Sequence, residues 1–387
     1  MYRKQERIIE AQLGDQAIRV VTRPGFPHWE TISPAVHLFA ENARIEDEKV
    51  LVCPCGHGAL GVWAAHQTGD VTLLDVNIIA TEMAQRTLAL NNIRGVPVKA
   101  ALPSTLEAEF DTALLPLPKG RRFARLLLLQ MFNTLKNGGK LYLAGPNRGG
   151  IKSVISDAEK LFEPAGILAY KGGNRIALLQ KDNQASPLHA IYQEPGIPPQ
   201  TYRTFQVNVN QESFTVCTRP GVFSWKSLDA GTRMLLKTVK IRESDHVLDL
   251  GCGYGVIGIY AARKATKGFA TFVDVNVLAY ECARQSLKEN GIERAKVMLG
   301  DVLPPTQNGT FSLILSNPPF HTGHAVARNT ARAFIHRAFQ ALGPQGRLAI
   351  VANRFLPYDD TIEKVFGSVN ILRRTSRYHV MEAQKQS

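Results

Sequence analysis

The segment VLDLGCGYGVIGIYAA (247–262) reads as a short buried strand, a glycine-rich turn and the opening of an apolar helix. Its turn holds Asp249, Gly251, Cys252, Gly253, Tyr254 and Gly255. Glycines at a strand-to-helix junction let a ligand approach the backbone closely, and the helix start behind them offers unpaired N–H groups. A second strand follows and ends in Asp274-Val275, where a carboxylate can accept hydrogen bonds from both hydroxyls of a ribose.

Outward from this segment, HVLDL (246–250), FATFVDV (269–275), KVML (296–299), FSLILS (311–316), GRLAIVA (346–352) and YHVMEA (378–383) are short runs rich in β-branched residues. Helical patterns at 277–290 and 326–341 separate them. Strands alternating with helices predict an α/β fold with a mainly parallel, doubly wound sheet and ligands at the carboxyl ends of its strands.

The same order is written a second time. VTRPGFPHWETISPAVHLF (21–39) recurs as CTRPGVFSWKSLDAGTRML (217–235), VLVCPCGHGALGVWAA (50–65) as VLDLGCGYGVIGIYAA, and LDVN (74–77) as VDVN (273–276). ALNNI (89–93) parallels KENGI (288–292), and GGKLYLAGPNR (138–148) parallels QGRLAIVANR (345–354). An offset of about two hundred residues is far longer than a solenoid period and implies a duplicated domain. The segment ASPLHAIYQEPGIPPQTYR (185–203), with its prolines, reads as a linker. Domains are expected at 1–190 and 196–387, with the boundary near 195.

Gly253, Gly255 and Gly258 also fit a dinucleotide fingerprint, so NAD competes as the ligand. Asp249 argues against it. An acid beside the turn repels a pyrophosphate and suits the amino group of a bound amino acid. Gly300-Asp301-Val302 closes the third strand, where Asp301 can accept from an adenine amine. A ribose, an adenine and an amino-acid end together describe S-adenosylmethionine.

The fourth strand runs into Ser316-Asn317-Pro318-Pro319-Phe320. The tetrapeptide Asn317-Pro318-Pro319-Phe320 is similar to the NPPF/Y motif of methyltransferases that alkylate planar exocyclic amines. Such an amine is a poor nucleophile, because its lone pair is delocalised, until acceptors draw its hydrogens toward a tetrahedral geometry. Asn317 supplies a side-chain oxygen, and the Pro318 carbonyl is a second candidate. Phe320 offers a face on which a base stacks, worth about 1–3 kcal/mol per base. His321 reads as a supporting residue rather than an acid or base.

SNPPFHTG (316–323), TRPGVFSWKSLDAGTRMLL (218–236) and IVANRFLPY (350–358) resemble the RsmC/RlmG group of rRNA (guanine-N2)-methyltransferases, and with the first copy the resemblance covers essentially the whole chain. It implies two tandem Rossmann-like class I methyltransferase domains, transfer from S-adenosylmethionine to guanine N2, and rRNA or a ribosomal subunit as partner, with the small subunit favoured over the large. It further implies that Phe223, Ser224 and Asp229 line the cofactor site; a plain cap and turn before the helix at 230–240 is the competing reading. Methylation of adenine N6 or glutamine N5, and a non-catalytic assembly factor, stand as alternatives.

In the first copy Val52 replaces Asp249, Pro54 replaces Gly251, and Pro116-Leu117-Pro118-Lys119 stands where SNPP should be, while Gly56, Gly58, Gly61 and Asp75 remain. A folded but non-catalytic domain is predicted, serving RNA binding or structure. Lys119, Arg121, Arg122 and Arg125 beside it suit phosphate contact or form a solvated helix face.

The formal net charge of +13 favours a polyanionic partner, and no apolar run of about 18 residues appears. The charged N-terminus MYRKQERIIEAQLGD lacks a signal peptide's apolar stretch, so a cytoplasmic protein is expected. Cys53, Cys55, Cys217, Cys252 and Cys282 are too scattered for a disulfide framework, and Cys53-Pro54-Cys55-Gly56-His57 has no second ligand pair to complete a metal site. They read as reduced thiols, with no metal and no membrane partner, in a monomer.

Overall fold

The structure, a computed structural model, describes residues 6–24, 26–107, 109–182, 187–301, 309–318, 324–356 and 358–386; at 324–331 and 333 it describes the backbone alone. The chain divides into two compact units, Met1–Thr201 and Tyr202–Ser387.

The first unit opens with a hairpin of β1 (Arg7–Leu13) and β2 (Gln16–Thr22), followed by α1 (Pro34–Asn42). Then come β3 (Val50–Val52), α2 (Ala59–Gln67), β4 (Val71–Asp75), α3 (Ile78–Leu90), β5 (Val98–Ala100), β6 (Phe110–Pro116), α4 (Arg121–Thr134) and β7 (Leu135–Pro146). It ends with α5 (Ile151–Ala158), β8 (Gly166–Lys171), β9 (Asn174–Gln180) and the short α6 (Ala190–Gln193).

The second unit repeats the plan: β10 (Arg203–Val209), β11 (Glu212–Thr218), α7 (Ala230–Thr238), β12 (His246–Leu250), α8 (Val256–Lys264), β13 (Phe269–Asp274), α9 (Val277–Glu289) and β14 (Ala295–Leu299). It continues through β15 (Phe311–Ser316), α10 (His324–Ala341), β16 (Leu342–Asn353), α11 (Tyr358–Phe366), β17 (Asn370–Arg374) and β18 (Tyr378–Gln384).

Strand order is β5-β4-β3-β6-β7-β9-β8 in one seven-stranded sheet and β14-β13-β12-β15-β16-β18-β17 in the other. Five strands of each are parallel, and the last two run antiparallel. In both sheets the order reverses beside the first strand of the parallel set, β3 or β12, which is where such sheets hold ligands.

Close helix-on-sheet packing depends on one glycine in each unit. A Cβ at Gly258 would come within 2.4 Å of the Phe272 ring, and one at Gly61 within 2.5 Å of Leu73. The third glycine of the apparent dinucleotide fingerprint thus serves packing. Each hairpin is fastened to a helix by an asparagine: Asn290 bonds the backbone N–H and carbonyl of Thr215, and Asn91 does the same to Arg19. The N–H groups of Cys217 and Val21 donate to Ser286 and Thr87 on the same helices.

The segment read as a linker is partly built into the first unit. Tyr192 is fully buried, its hydroxyl donating to the Asp157 carbonyl at 2.6 Å, and Glu194 accepts from Arg122 and Arg125.

Candidate active site

The turn after β12 brings three carboxylates toward one edge. Asp249, on the strand itself, is fully buried; its Oδ2 accepts from the N–H of Gly258 at 2.8 Å, while Oδ1 has no partner among the described residues. Burial pushes its carboxyl up to about 8, helped by the nearby charge of Asp274. Asp274, at the end of β13, accepts from Gly253 N–H through Oδ2 and from Asn276 N–H through Oδ1, both at 2.9 Å. Burial raises its pKa too, against those bonds. Val275 beside it is half-buried.

The glycines leave room against these acids. Gly251 and Gly253 have φ of +75° and +55°; a Cβ at the first would meet nothing within 4 Å, and at the second only Val222, at 3.8 Å. Val222 and Gly221 belong to the PGVFS lead-in, which Asn276 fastens through the Gly221 carbonyl. The N–H groups of Gly251 and Cys252 donate to Val273, and those of Gly253 and Gly255 to Asp274 and Cys252. The turn therefore keeps its amides for itself, which is a poor cradle for a pyrophosphate. A buried carboxylate oxygen with no donor suits a cationic amine instead. Both observations fit S-adenosylmethionine better than NAD.

The Cys252 thiol is buried, and the Tyr254 ring meets Phe205 edge-on at 5.8 Å. Asp301 faces Arg337, which reaches Oδ1 at 3.1 Å, Oδ2 at 3.4 Å and the carbonyl at 2.7 Å.

Asn317 stands one residue beyond β15. Ser316 ties that strand end to the glycine turn by donating Oγ to the Leu250 carbonyl at 2.6 Å. The Asn317 Nδ2 donates to Asp229 Oδ2 at 3.1 Å and to Thr232 Oγ1 at 2.8 Å. A carboxylate can only accept, so the NH2 end must face Asp229, which leaves the carbonyl oxygen for a ligand. Asp229 is also the N-cap of α7, accepting from Thr232 N–H at 2.9 Å. Asp229 is thus both the cap of α7 and the partner of the Asn317 amide. Phe223 is half-exposed, and Ser224, with φ of +51°, donates to the Ser227 carbonyl. Pro318 is buried. Val302, Pro319, Phe320 and His321 lie outside the described residues.

In the first unit Asp75 repeats the geometry of Asp274, accepting from Gly56 and Asn77 N–H at 3.1 and 2.9 Å, and burial raises its carboxyl to about 6. Elsewhere the two turns differ. Cys53–Pro54 is a cis peptide, and Leu117, at the place of Asn317, packs so closely on Gly145 that a Cβ there would lie 2.4 Å away. His57, where the second unit has Tyr254, is buried with Nδ1 unpartnered among the described residues; burial, then His28, lowers it to about 4.

The basic cluster is engaged within its own unit. Asp157 accepts from Arg121 and Arg125 at 2.7 and 2.8 Å, and Glu194 from Arg122 and Arg125 at 2.7 and 3.1 Å. Burial would raise Asp157, yet the two guanidinium groups hold it below the ordinary carboxylate range. The expectation of a solvated face fails for Arg125, which is buried; Lys119 is exposed. Among the described residues no three His, Cys, Asp or Glu side chains gather to hold a metal ion, and no helix is long and apolar enough to cross a membrane.

Comparison with known proteins accords with this geometry. The methyltransferase small domain family matches residues 213–382, and the methyltransferase small domain N-terminal family matches 67–179. Ribosomal RNA small subunit methyltransferase C of Psychromonas ingrahamii is 33% identical over 71% of this chain and 76% of its own length. The protein of that name from Aeromonas hydrophila is 36% identical over 70% and 76%. The solved structure of the T. thermophilus 16S rRNA N2 guanine methyltransferase RsmC, in complex with AdoMet and guanosine, superposes with a TM-score of 0.79, 27% identity and 98% of each chain covered. The chain belongs to the ribosomal RNA small subunit methyltransferase C family.

Proposed function

We propose that the second unit transfers the methyl group of S-adenosylmethionine to the exocyclic N2 of a guanine in small-subunit ribosomal RNA. The observation that carries this reading is the fixed Asn317 carboxamide, its NH2 spent on Asp229 and Thr232 and its oxygen left beside the glycine turn.

Asp274 accepts from the ribose hydroxyls, Asp249 Oδ1 meets the amino group, and Asp301, oriented by Arg337, accepts at the adenine end. When bound, the cofactor supplies a methyl group on a cationic sulfur. Asn317 Oδ1 and the Pro318 carbonyl draw the hydrogens of the guanine amine, a bond that strengthens as the nitrogen becomes tetrahedral, so the pair favours the transition state over the ground state. As the N–C bond forms, the sulfur–methyl bond would break and return its electron pair to sulfur, leaving a neutral thioether, and one N–H proton would pass to water. Catalysis is chiefly alignment, and no strong general base is needed. Phe320 stacks the base, which leaves its helix to arrive. The guanosine complex of the T. thermophilus relative supports guanine over adenine or glutamine.

The first unit, with Leu117 and Pro54 in the way, serves structure or RNA binding without catalysis. A ribosomal RNA substrate puts the protein in the cytoplasm. The test is rRNA carrying inosine at the target position: it binds and accepts no methyl, whereas methylated inosine RNA, or N1- or N7-methylguanine in the natural product by mass spectrometry, overturns the assignment.

A further inference from the structure

Beyond β16 and before β18 lies a cleft of about 450 Å3 lined by Arg354, Phe355, Ser376 and Arg377. We propose that it binds the single-stranded RNA next to the target guanine, with a phosphate between the two arginines and a neighbouring base stacked on Phe355. This rests on the RNA substrate argued above and adds where the strand is held.

Position is the first argument. β15 and β16 are parallel neighbours, with Ser316 opposite Ile350, so Asn317 and Arg354 leave the sheet at the same edge. Asn353 pairs with Tyr378, and the Arg354 N–H donates to the Arg377 carbonyl at 3.0 Å. A Cβ at Gly231 would touch both the Tyr378 ring, at 3.3 Å, and Asp229 Oδ2, at 3.0 Å. Gly231 therefore sits between the Tyr378 ring and Asp229, the carboxylate that holds Asn317.

Chemistry is the second. Phe355 is 68% exposed, the most of any large apolar side chain described, and an aromatic face in that state is a stacking platform. Arg354, Arg373, Arg374 and Arg377 are exposed and form no ion pair among the described residues, unlike Arg121 and Arg125. Asp359 is the acid whose field, ahead of those of Arg374 and Arg354, reaches buried His379. The turn carrying Arg377 is rigid: Thr375 Oγ1 accepts from Tyr378 N–H at 2.9 Å, and Thr375 N–H donates to the Tyr378 carbonyl at 2.8 Å. The Arg377 guanidinium lies 5.1 Å from the Tyr378 ring centre. Exposed cations, one of them on a hydrogen-bonded turn, beside an exposed ring and one strand from the base acceptor match a nucleotide.

The experiment measures binding of a short single-stranded RNA bearing the target guanine to the cofactor-loaded full chain by fluorescence anisotropy across a salt series, alongside methylation of rRNA. The double variant Arg354→Ala/Arg377→Ala should flatten the log K against log salt slope by about 1.4, at about 0.7 per single-strand phosphate. Phe355→Ala should weaken binding about tenfold, a stacking loss that Phe355→Tyr restores. In both, KM for RNA rises while kcat at saturation and cofactor affinity hold. Lys296→Ala removes an exposed charge on β14 and serves as control. If it flattens the slope as much as loss of an arginine, or if the cleft variants bind as wild type while guanine N2 is still methylated, the cleft assignment falls and the enzymatic reading stands. If the wild type binds RNA through the cleft but yields no N2-methylguanine, the enzymatic reading falls instead.

Discussion

Asp229 holds Asn317 in a single orientation: the carboxylate lies 3.1 Å from the amide nitrogen and cannot donate, so the amide cannot turn over. Replacing Asp229 with asparagine keeps an N-cap of nearly equal quality for α7 but supplies a donor, which lets Asn317 flip its oxygen inward. Asp229→Asn should leave the melting temperature almost unchanged and lower kcat at least about tenfold, as small misplacements at reacting centres do. Equal kcat in steady-state assays would show that the contact is a cap and nothing more.

Asn317→Ala removes the acceptor itself. A contact that strengthens in the transition state should cost kcat more than KM, by about a hundredfold if it resembles the loss of one oriented polar group in other enzymes. Isothermal calorimetry should find cofactor affinity nearly intact, since the proposed ribose and amino-acid contacts lie on β12 and β13.

Calorimetry should also find one tight cofactor site per chain. Asp75 reproduces the bonds of Asp274, yet Val52 offers no carboxylate and Pro54 stands in the turn. Asp274→Ala should abolish the binding heat and Asp75→Ala should leave it unchanged. Two equal sites would mean that the first unit has kept its cofactor.

Asp249 sets a pH dependence with a definite sign. Its folded pKa, about 8, lies above the unfolded value, so the folded state holds the proton longer. Its stabilising contribution is complete below about pH 4, the unfolded pKa, and is lost as pH rises through about 8, with a slope approaching 1.4 kcal/mol per pH unit, roughly one proton's worth. Cofactor-free Asp249→Asn, an uncharged mimic, should unfold in urea much as wild type at pH 5 and should be the more stable protein at pH 9. A wild type that gains on the variant as pH rises would contradict a buried acid whose charged form is disfavoured.

Asp157 has the opposite sign. Its pKa is depressed, so the support it gives Arg121 and Arg125 is present above the ordinary carboxylate range and is lost as pH falls through the folded value. Asp157→Ala takes from buried Arg125 the closer of its two carboxylates, leaving Glu194, and should destabilise the first unit by up to about 3–5 kcal/mol. Circular dichroism melts would detect this.

Much of the second unit was legible because its signals are local. The glycine turn, Asp274 at a strand end and Asn317 after the fourth strand each depend on residues a few positions apart, and spacing reveals those. What escaped were partners distant in sequence. Asp157 lies 36 and 32 residues from Arg121 and Arg125, Glu194 lies 72 and 69 from Arg122 and Arg125, and Arg337 lies 36 from Asp301. Asp229 reads as a plain cap because a helix follows it, and nothing local announces a bond to Asn317 across 88 residues. The hairpins escaped for another reason: Gly14-Asp15 and Asn210-Gln211 are two-residue turns, and each hairpin depends for its seat on an asparagine in a later helix.

The lone Oδ1 of Asp249 also bears on how long the protein survives in a cell. A ligand that binds only the folded form raises its stability by about 2.7 kcal/mol at a hundred times its dissociation constant. Such a difference changes the fraction of molecules exposed to proteases and therefore the steady-state level. Scarcity of methyl donor should then deplete the enzyme as well as idle it, and restoring the donor should lengthen its half-life before new synthesis contributes.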